Sequence, residues 1–230
     1  MATHCIECAG QKLALHSERA LFWPAKKTLF CADLHLGKEH VFSRAGIGIP
    51  DGVSTTTLQR LSQLIVEFDA HTVFVLGDFF HGVPSREEPW IEQLQAFLST
   101  HANVIFRVIS GNHDRPEARE RIDSGILWTT HPLPMNPFVL QHAPGRSENG
   151  LVLCGHLHPT FRIGGKRTAG VQAPVFWLTE HYLVLPSFGE FTGGHRIEPF
   201  IGDQIYLTGP DCVLPVPITN PTKTTKPTKR

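Results

Sequence analysis

No stretch of this 230-residue chain approaches the roughly 18 consecutive apolar residues that a membrane-spanning helix needs. The first residues also lack a basic segment leading into an apolar run, so nothing reads as a secretory signal. Together these absences predict a cytoplasmic protein with no membrane partner. Cysteine is scarce: there are five, an odd number, with no disulfide-scaffold spacing. Cys31 and Cys154 lie in apolar runs and read as buried thiols. Cys5-Ile6-Glu7-Cys8 is a single Cys-x-x-Cys with no second pair and no helix-opening context, which argues against a zinc site or a redox pair. There is no internal repeat. Net charge is missing as well, with 21 basic and 21 acidic residues. The balance is uneven, because residues 213–230 carry Lys223, Lys226, Lys229 and Arg230 and no acid, leaving 17 basic against 21 acidic residues in the body. Such a body does not advertise a nucleic-acid footprint. Metal cations held by its acids would soften that objection.

What is present is a core-forming hydrophobic fraction of 41% and fourteen histidines. Imidazole is a common neutral metal ligand and titrates near neutral pH. Short apolar runs read as strands at 28–32, 73–76 and 104–109. Between them, Leu58, Leu61, Leu64, Ile65 and Phe68 predict a helix over 54–68, capped by Ser54 or Asp51. Trp90, Ile91, Leu94, Phe97 and Leu98 predict a second helix, opened by Ser85-Arg86-Glu87-Glu88 as a capping box. Pro116 suits the first position of a short third helix, Pro116–Ile122, with Asp114 as its cap. The loop from Leu36 to Gly52 is long enough to suggest function. This alternation predicts an α/β fold with parallel crossovers. The second half is richer in strand: runs ending at His142 and at Gly155-His156, a hairpin around 179–181, and a strand pair over 197–207 turning at Gly202-Asp203. One domain spans 1–214, and residues 215–230 read as a disordered basic Pro/Thr/Lys tail.

Five strand ends finish in Asp, Asn or His: Asp33 and His35, Asp78 and His81, Asn112 and His113, His142, and His156 and His158. Sites in parallel sheets gather beyond the carboxyl ends of strands. Carboxylates, imidazoles and one amide oxygen form a mixed oxygen/nitrogen ligand set, which suits manganese, iron or zinc better than calcium. Seven ligands exceed one ordinary site and suit two ions sharing a carboxylate, a clamp used for in-line displacement at phosphorus.

Asp33-x-His35, Gly77-Asp78-x-x-His81, Gly111-Asn112-His113-Asp114, His142 and Gly155-His156-x-His158 resemble, in this order, the motifs of the calcineurin-like metallophosphoesterases. The resemblance implies a four-layer sandwich: two mixed β-sheets flanked by helices, with a dinuclear metal site at the strand ends. It implies one metal on Asp33, His35, Asp78 and His158, and a second on Asp78, Asn112, His142 and His156, with Asp78 bridging. Two divalent ions are the implied cofactors, Mn2+ foremost, with Fe or Zn as alternatives. His113 would face the substrate phosphate. Ala20-Leu-Phe-Trp-Pro24, Ala32-Asp-Leu-His-Leu-Gly-Lys38, Arg44-x-Gly46-x-x-x-Pro50, Gly155-His-Leu-His-Pro159 and Leu185-Pro-Ser-Phe-Gly-Glu-Phe-Thr-Gly-Gly194 are similar to one subgroup. That subgroup is the bacterial ligase-associated metallophosphoesterases, described as DNA endonucleases of the damage response. His142-Ala143 stands where many members of the wider superfamily have His-Gly, with the imidazole retained.

The implied reaction is phosphodiester hydrolysis in DNA repair, with metal-activated hydroxide attacking in line with the leaving group. DNA is then the substrate, and DNA ligase and helicase are the implied repair partners. His113 would donate the leaving-group proton. His81 stands where many phosphomonoesterases of the superfamily carry Asp and where recombination-repair nucleases carry His, which favours a diester. Lys38, Arg44 and Arg115 follow ligand blocks and are candidates for flanking phosphates. The alternative is a phosphodiesterase or phosphatase acting on small nucleotides or other small phosphoesters, which the neutral charge keeps open.

Overall fold

The computed structural model describes residues 2–84, 88–122, 125–164 and 170–218. Seven strands build the first sheet in chain order: β1 (Thr3–Cys8), β2 (Gln11–His16), β3 (Leu21–Trp23), β4 (Thr28–Cys31), β5 (Thr72–Leu76), β6 (Ile105–Ile109) and β7 (Leu127–Thr129). β1 to β4 form an antiparallel meander, while β4 to β7 run parallel. The crossovers carry α1 (Lys38–Arg44), α2 (Val53–Glu67), α3 (Pro89–Thr100) and α4 (Pro116–Arg121).

The second sheet contains β8 (Leu133–Met135), β9 (Phe138–Leu140), β10 (Leu151–Cys154), β11 (Pro159–Ile163), β12 (Val171–Leu178), β13 (Tyr182–Val184), β14 (His195–Arg196), β15 (Gln204–Thr208) and β16 (Val213–Val216). Its centre, β9-β10-β13, is parallel, and antiparallel strands flank it. Among the described residues no helix is long and apolar enough to cross a membrane.

Alternation along β4 and β5 sorts the core into two layers. Leu29, Cys31, Val73 and Val75 face the helices, where Leu58, Leu61, Leu64 and Ile65 of α2 and Trp90, Leu94 and Phe97 of α3 meet them. Phe30, Phe74 and Leu76 point the other way, against Phe138, Leu140, Leu153, Phe176 and Leu183 of the second sheet. Trp23 and Phe138 meet edge to face, with ring centroids 5.1 Å apart. Because both faces of these strands are covered, their sequences read as continuous apolar runs.

All α-helices of the described residues precede Ile122. Two mixed sheets with few flanking helices are the expected architecture; on the face of the second sheet turned away from the first lie two small clusters, one of Val139, Val152, Cys154 and Val184 and one of Val175, Ile197 and Ile205. Several expectations need correction. The long loop after Leu36 contains helix α1, whose Glu39 is buried and accepts hydrogen bonds from the Ser54 amide and hydroxyl, each at 2.9 Å. Neither Ser54 nor Asp51 caps α2: Gly52 holds the cap position, and the Ser54 hydroxyl accepts from Gly37 N at 2.8 Å. Of the proposed capping box, residues 85–87 fall outside the described residues, and α3 starts with Pro89. Residues 197–200 form no strand. β15 pairs instead with β12 and β16, because Ile197 is used as a buried plug beside Val175 and Ile205. β16 includes Pro215 and Val216, so ordered chain runs past the expected start of the tail; residues 219–230 lie outside the described residues. Cys5 and Cys8 sit three apart in a strand and therefore point to opposite faces, one exposed and one buried. Cys31 and Cys154 are buried, as expected.

The sheet-to-sheet layer sets the spacing of everything above it. Phe176→Ala is expected to lower stability by about 3–5 kcal/mol, read from urea unfolding of the metal-free protein. Val171→Ala, at an exposed position of the same strand, should change it by less than about 0.5 kcal/mol.

Candidate metal centre

Two parallel strand groups on facing sheets end at one place. β4, β5 and β6 are neighbours and deliver Asp33 and His35, Asp78, and Asn112 and His113. β9 and β10 deliver His142, His156 and His158 from the other sheet. Donor atoms of Asp33, His35 and His158 lie within 4.8 Å of one another, as do those of Asp78, His142 and His156. Asn112 Oδ1 joins the second group, 3.1 Å from His142 Nε2. Asp78 Oδ2 is 3.9 Å from His35 Nε2 and 3.5 Å from His142 Nε2, so one oxygen faces both groups. The other oxygen, Oδ1, is occupied: it accepts from the His113 amide at 2.9 Å.

The imidazoles are oriented by what their other nitrogens touch. His142 Nδ1 lies 3.0 Å from Leu76 O, and His158 Nδ1 lies 3.1 Å from Thr192 O. A carbonyl only accepts, so both rings carry a proton on Nδ1 and turn Nε2 inward. His156 Nδ1 sits 3.0 Å from His142 Nε2, and His35 Nε2 sits 3.3 Å from His158 Nε2. Two nitrogens aimed at each other at such distances need a proton or a cation between them. Burial pushes His35 down to about 2, helped by His158, His81, Lys38 and His113, so the ring is neutral and able to ligate. At His158 burial acts downward but is outweighed by the hydrogen bond and charge of Asp33, which hold the ring above its ordinary value. Imidazoles beside the buried carboxylates of Asp33 and Asp78 form a mixed nitrogen/oxygen donor set that fits a pair of divalent cations.

The backbone is shaped for this convergence. Asp33, His35, Asp78, His156 and His158 have φ of 55°, 50°, 50°, 71° and 46°, in the left-handed region. Asp and His tolerate it better than most residues, yet five such positions in one site are stored strain. Gly77 and Gly111 have no room for a Cβ: at Gly77 it would overlap the His142 ring, and at Gly111 the Asp78 carboxylate.

Three features escaped the sequence. Asp114 does not cap α4. Its carboxylate accepts from Phe80 N at 3.0 Å and from Gly111 N at 2.8 Å, tying the Asp78 loop to the Asn112 loop. Burial raises its pKa to about 6, against those two amides, which act downward. The segment 187–192 braces the Asp33 loop: Ser187 Oγ and Gly189 N donate to Asp33 O at 3.0 and 3.1 Å. Arg60 then holds that segment through Phe188 O and Glu190. A Ser-Phe-Gly-Glu string signals a loop, but no periodicity says which loop it clasps.

His35, His81 and His113 form a third cluster, with donor nitrogens within 4.8 Å. His81 stacks on His113, with centroids 5.1 Å apart, and its Nδ1 is 3.2 Å from His35 Nδ1. Burial, with Lys38 and His113, lowers His81 to about 4, leaving it neutral at pH 7. The candidate phosphate contacts fare differently. Lys38 is buried, and its Nζ donates to Phe191 O at 2.6 Å. Arg44 pairs with Glu88 at 2.8 Å. Arg115 is exposed at the cap of α4.

Asp114→Asn keeps one acceptor and turns an amide group toward the second buried N–H. It should lower stability by about 1–3 kcal/mol in urea unfolding. Metal affinity, measured by titration, should fall about 10–100-fold, as for other residues that orient ligands.

The family model for the calcineurin-like phosphoesterases matches residues 26–187. The crystal structure of the Pseudomonas putida nuclease MPE superposes with a TM-score of 0.79 at 34% identity, over 93% of this chain and 100% of that one. A protein of Aquifex aeolicus gives 0.40 at 18% identity, over 56% of this chain and 77% of its own. The phosphoesterase Yfce of E. coli also gives 0.40, at 16% identity over 80% and 88%. A search of curated proteins finds no match. A model match covering most of the chain, over the segment that carries the strand-end ligands, makes this a member of the calcineurin-like phosphoesterase family, a metal-dependent phosphoesterase.

Proposed function

We propose that this chain hydrolyses phosphodiester bonds in DNA as a metal-dependent endonuclease. In this reading Asp33, His35, Asp78 and His158 hold one divalent cation, and Asp78, Asn112, His142 and His156 hold the other, with manganese as the ion. The observation that carries it is the division of labour at Asp78: Oδ1 is fixed by a backbone amide, while Oδ2 faces both imidazole groups. The nuclease relative at 34% identity supports a diester substrate. A role in DNA repair beside ligase and helicase, and a cytoplasmic location, belong to the same proposal.

Two cations bound there supply a water acidified to near-neutral pKa and positive charge for the phosphoryl oxygens. The rest is the work of the chain. The imidazoles and the carboxylates of Asp33 and Asp78 would hold the pair, the carboxylates offsetting part of its positive charge. His113 is anchored through its amide to Asp78 Oδ1, so its ring stands at a fixed offset from the bridging oxygen. From there it donates a proton to the leaving alkoxide. His81, stacked against it, keeps the ring in place and adds no negative charge that would repel an anionic diester.

A second reading, small nucleotides or other small phosphoesters as substrate, is favoured by the net −4 of the body over residues 1–212, with 17 basic and 21 acidic residues. Supercoiled plasmid and a chromogenic phosphodiester, each tested with Mn2+ and with chelator, separate the two. Metal-dependent nicking is expected; turnover of the small diester with intact plasmid would overturn the nuclease reading. Asp78→Ala should lose both cations by metal analysis and all activity. His113→Ala should retain metal and lose about 10²–10⁴ in kcat.

A further inference from the structure

We propose that Phe191 is a stacking platform for a nucleobase next to the phosphate being cut, which gives the centre a base-binding subsite. The inference deepens the phosphodiesterase reading above and rests on it.

Two phenylalanines stand out as exposed among the described residues: Phe191 at 58% and Phe200 at 78%. Phe200 belongs to a groove of about 650 Å³ that includes Leu151, where β10 begins. The centre lies at the other end of that strand. Phe191 is beside the centre. Its carbonyl accepts from the buried Lys38, and the next carbonyl, Thr192 O, orients His158. Lys38 is also near enough to His35 and His81 to act on both electrostatically.

The backbone here is clamped residue by residue. Gly189 N donates to Asp33 O, and the Glu190 carboxylate is gripped by Arg19 and Arg60. Phe191 and Thr192 are held through their carbonyls. Within this clamp Phe191 has φ of 54°. That region is strained for an aromatic residue whose side chain cannot hydrogen-bond back to the main chain. Exposure and strain both work against folding, and at 58% exposure the residue gains less from packing than a core phenylalanine does. The backbone presents the ring outward when the same segment buries Phe188 completely.

A ring on a fixed backbone is a good stacking surface because only its side-chain torsions remain to be frozen. A nucleobase offers the matching π face, whatever its identity. A phosphodiester without a base has nothing to place there. Selectivity for a nucleoside ester over a plain alkyl ester is therefore the property that the ring controls.

Thymidine 5′-(p-nitrophenyl phosphate) and methyl p-nitrophenyl phosphate share a leaving group and differ in the second ester group, a nucleoside in one and a methyl in the other; dependence of their ratio on the ring at 191 isolates the stacking part. The ratio of their kcat/KM values is the readout. Phe191→Ala should lower that ratio by about 5–100-fold, the range that stacking on one base supplies, mainly through KM for the thymidine ester. Phe191→Trp should keep the ratio and Phe191→Leu should not, and these two variants decide the matter if the alanine variant folds poorly. A ratio unchanged in the alanine and leucine variants would overturn the proposal. Nicking of supercoiled plasmid by the wild-type protein is scored separately. If the plasmid stays intact while the ratio still depends on the ring, the nuclease reading fails and the base subsite stands.

Discussion

One hydrogen bond joins the two halves of the molecule at the point where chemistry is expected. The carboxylate of Asp33, at the end of β4, accepts from the amide of His156, past the end of β10, at 2.9 Å. These residues lie 123 apart in sequence and on different sheets. Asp33 is wholly buried, so its charge is tolerable only with partners around it. It finds them on every side: the His156 amide, the His158 ring at 3.6 Å and the His142 ring at 3.9 Å. Its own amide donates to Gly77 O, which ties it to the Asp78 loop as well. Asp33 thus serves the fold and the candidate site with one carboxylate.

The apolar layer between the sheets makes that bond possible. Phe30, Phe74, Phe138 and Phe176 hold the sheets at a fixed separation, so that strand ends from both arrive at the same level. Glycine at 77 and 111 then removes the bulk that would keep the loops apart. Asp114 and the segment 187–192 lock the loops from outside. The candidate ligands are therefore held by three shells of different physics: packing below, backbone geometry at the turns, and buried hydrogen bonds around them.

The sequence made the inner part of this legible and the outer part less so. Asp33, His35, Asp78, Asn112, His142, His156 and His158 each follow an apolar run, and periodicity located the strands. The faces of α2 and α3 were readable for the same reason. Helix α1 was hidden because its face buries Lys38 and Glu39, which no hydrophobic pattern reveals. Asp114 was misread because an Asp before Pro116 has a local explanation, whereas its partners are Phe80 and Gly111, set by tertiary structure. The 197–207 region failed similarly: Gly202-Asp203 does make a turn, with Asp203 N donating to Phe200 O, but β15 pairs with β12 and β16 rather than with residues 197–200. Lys38 and Arg44 looked available for phosphate by position alone, and internal partners hold both.

The left-handed turns at Asp33, His35, Asp78, His156 and His158 have a consequence for descent. With these residues as the proposed ligands, two filters act on each position: the donor atom that the proposed chemistry asks for and the backbone angle that the turn imposes. Residues that pass the second filter are few, chiefly Gly, Asn, Asp and His, and they are drawn from the short polar types that pass the first. A copy of this chain released from its chemistry would not wander freely there. It would slide toward Asn or Gly, and the silent descendant would still fold around the outline of the centre it had lost.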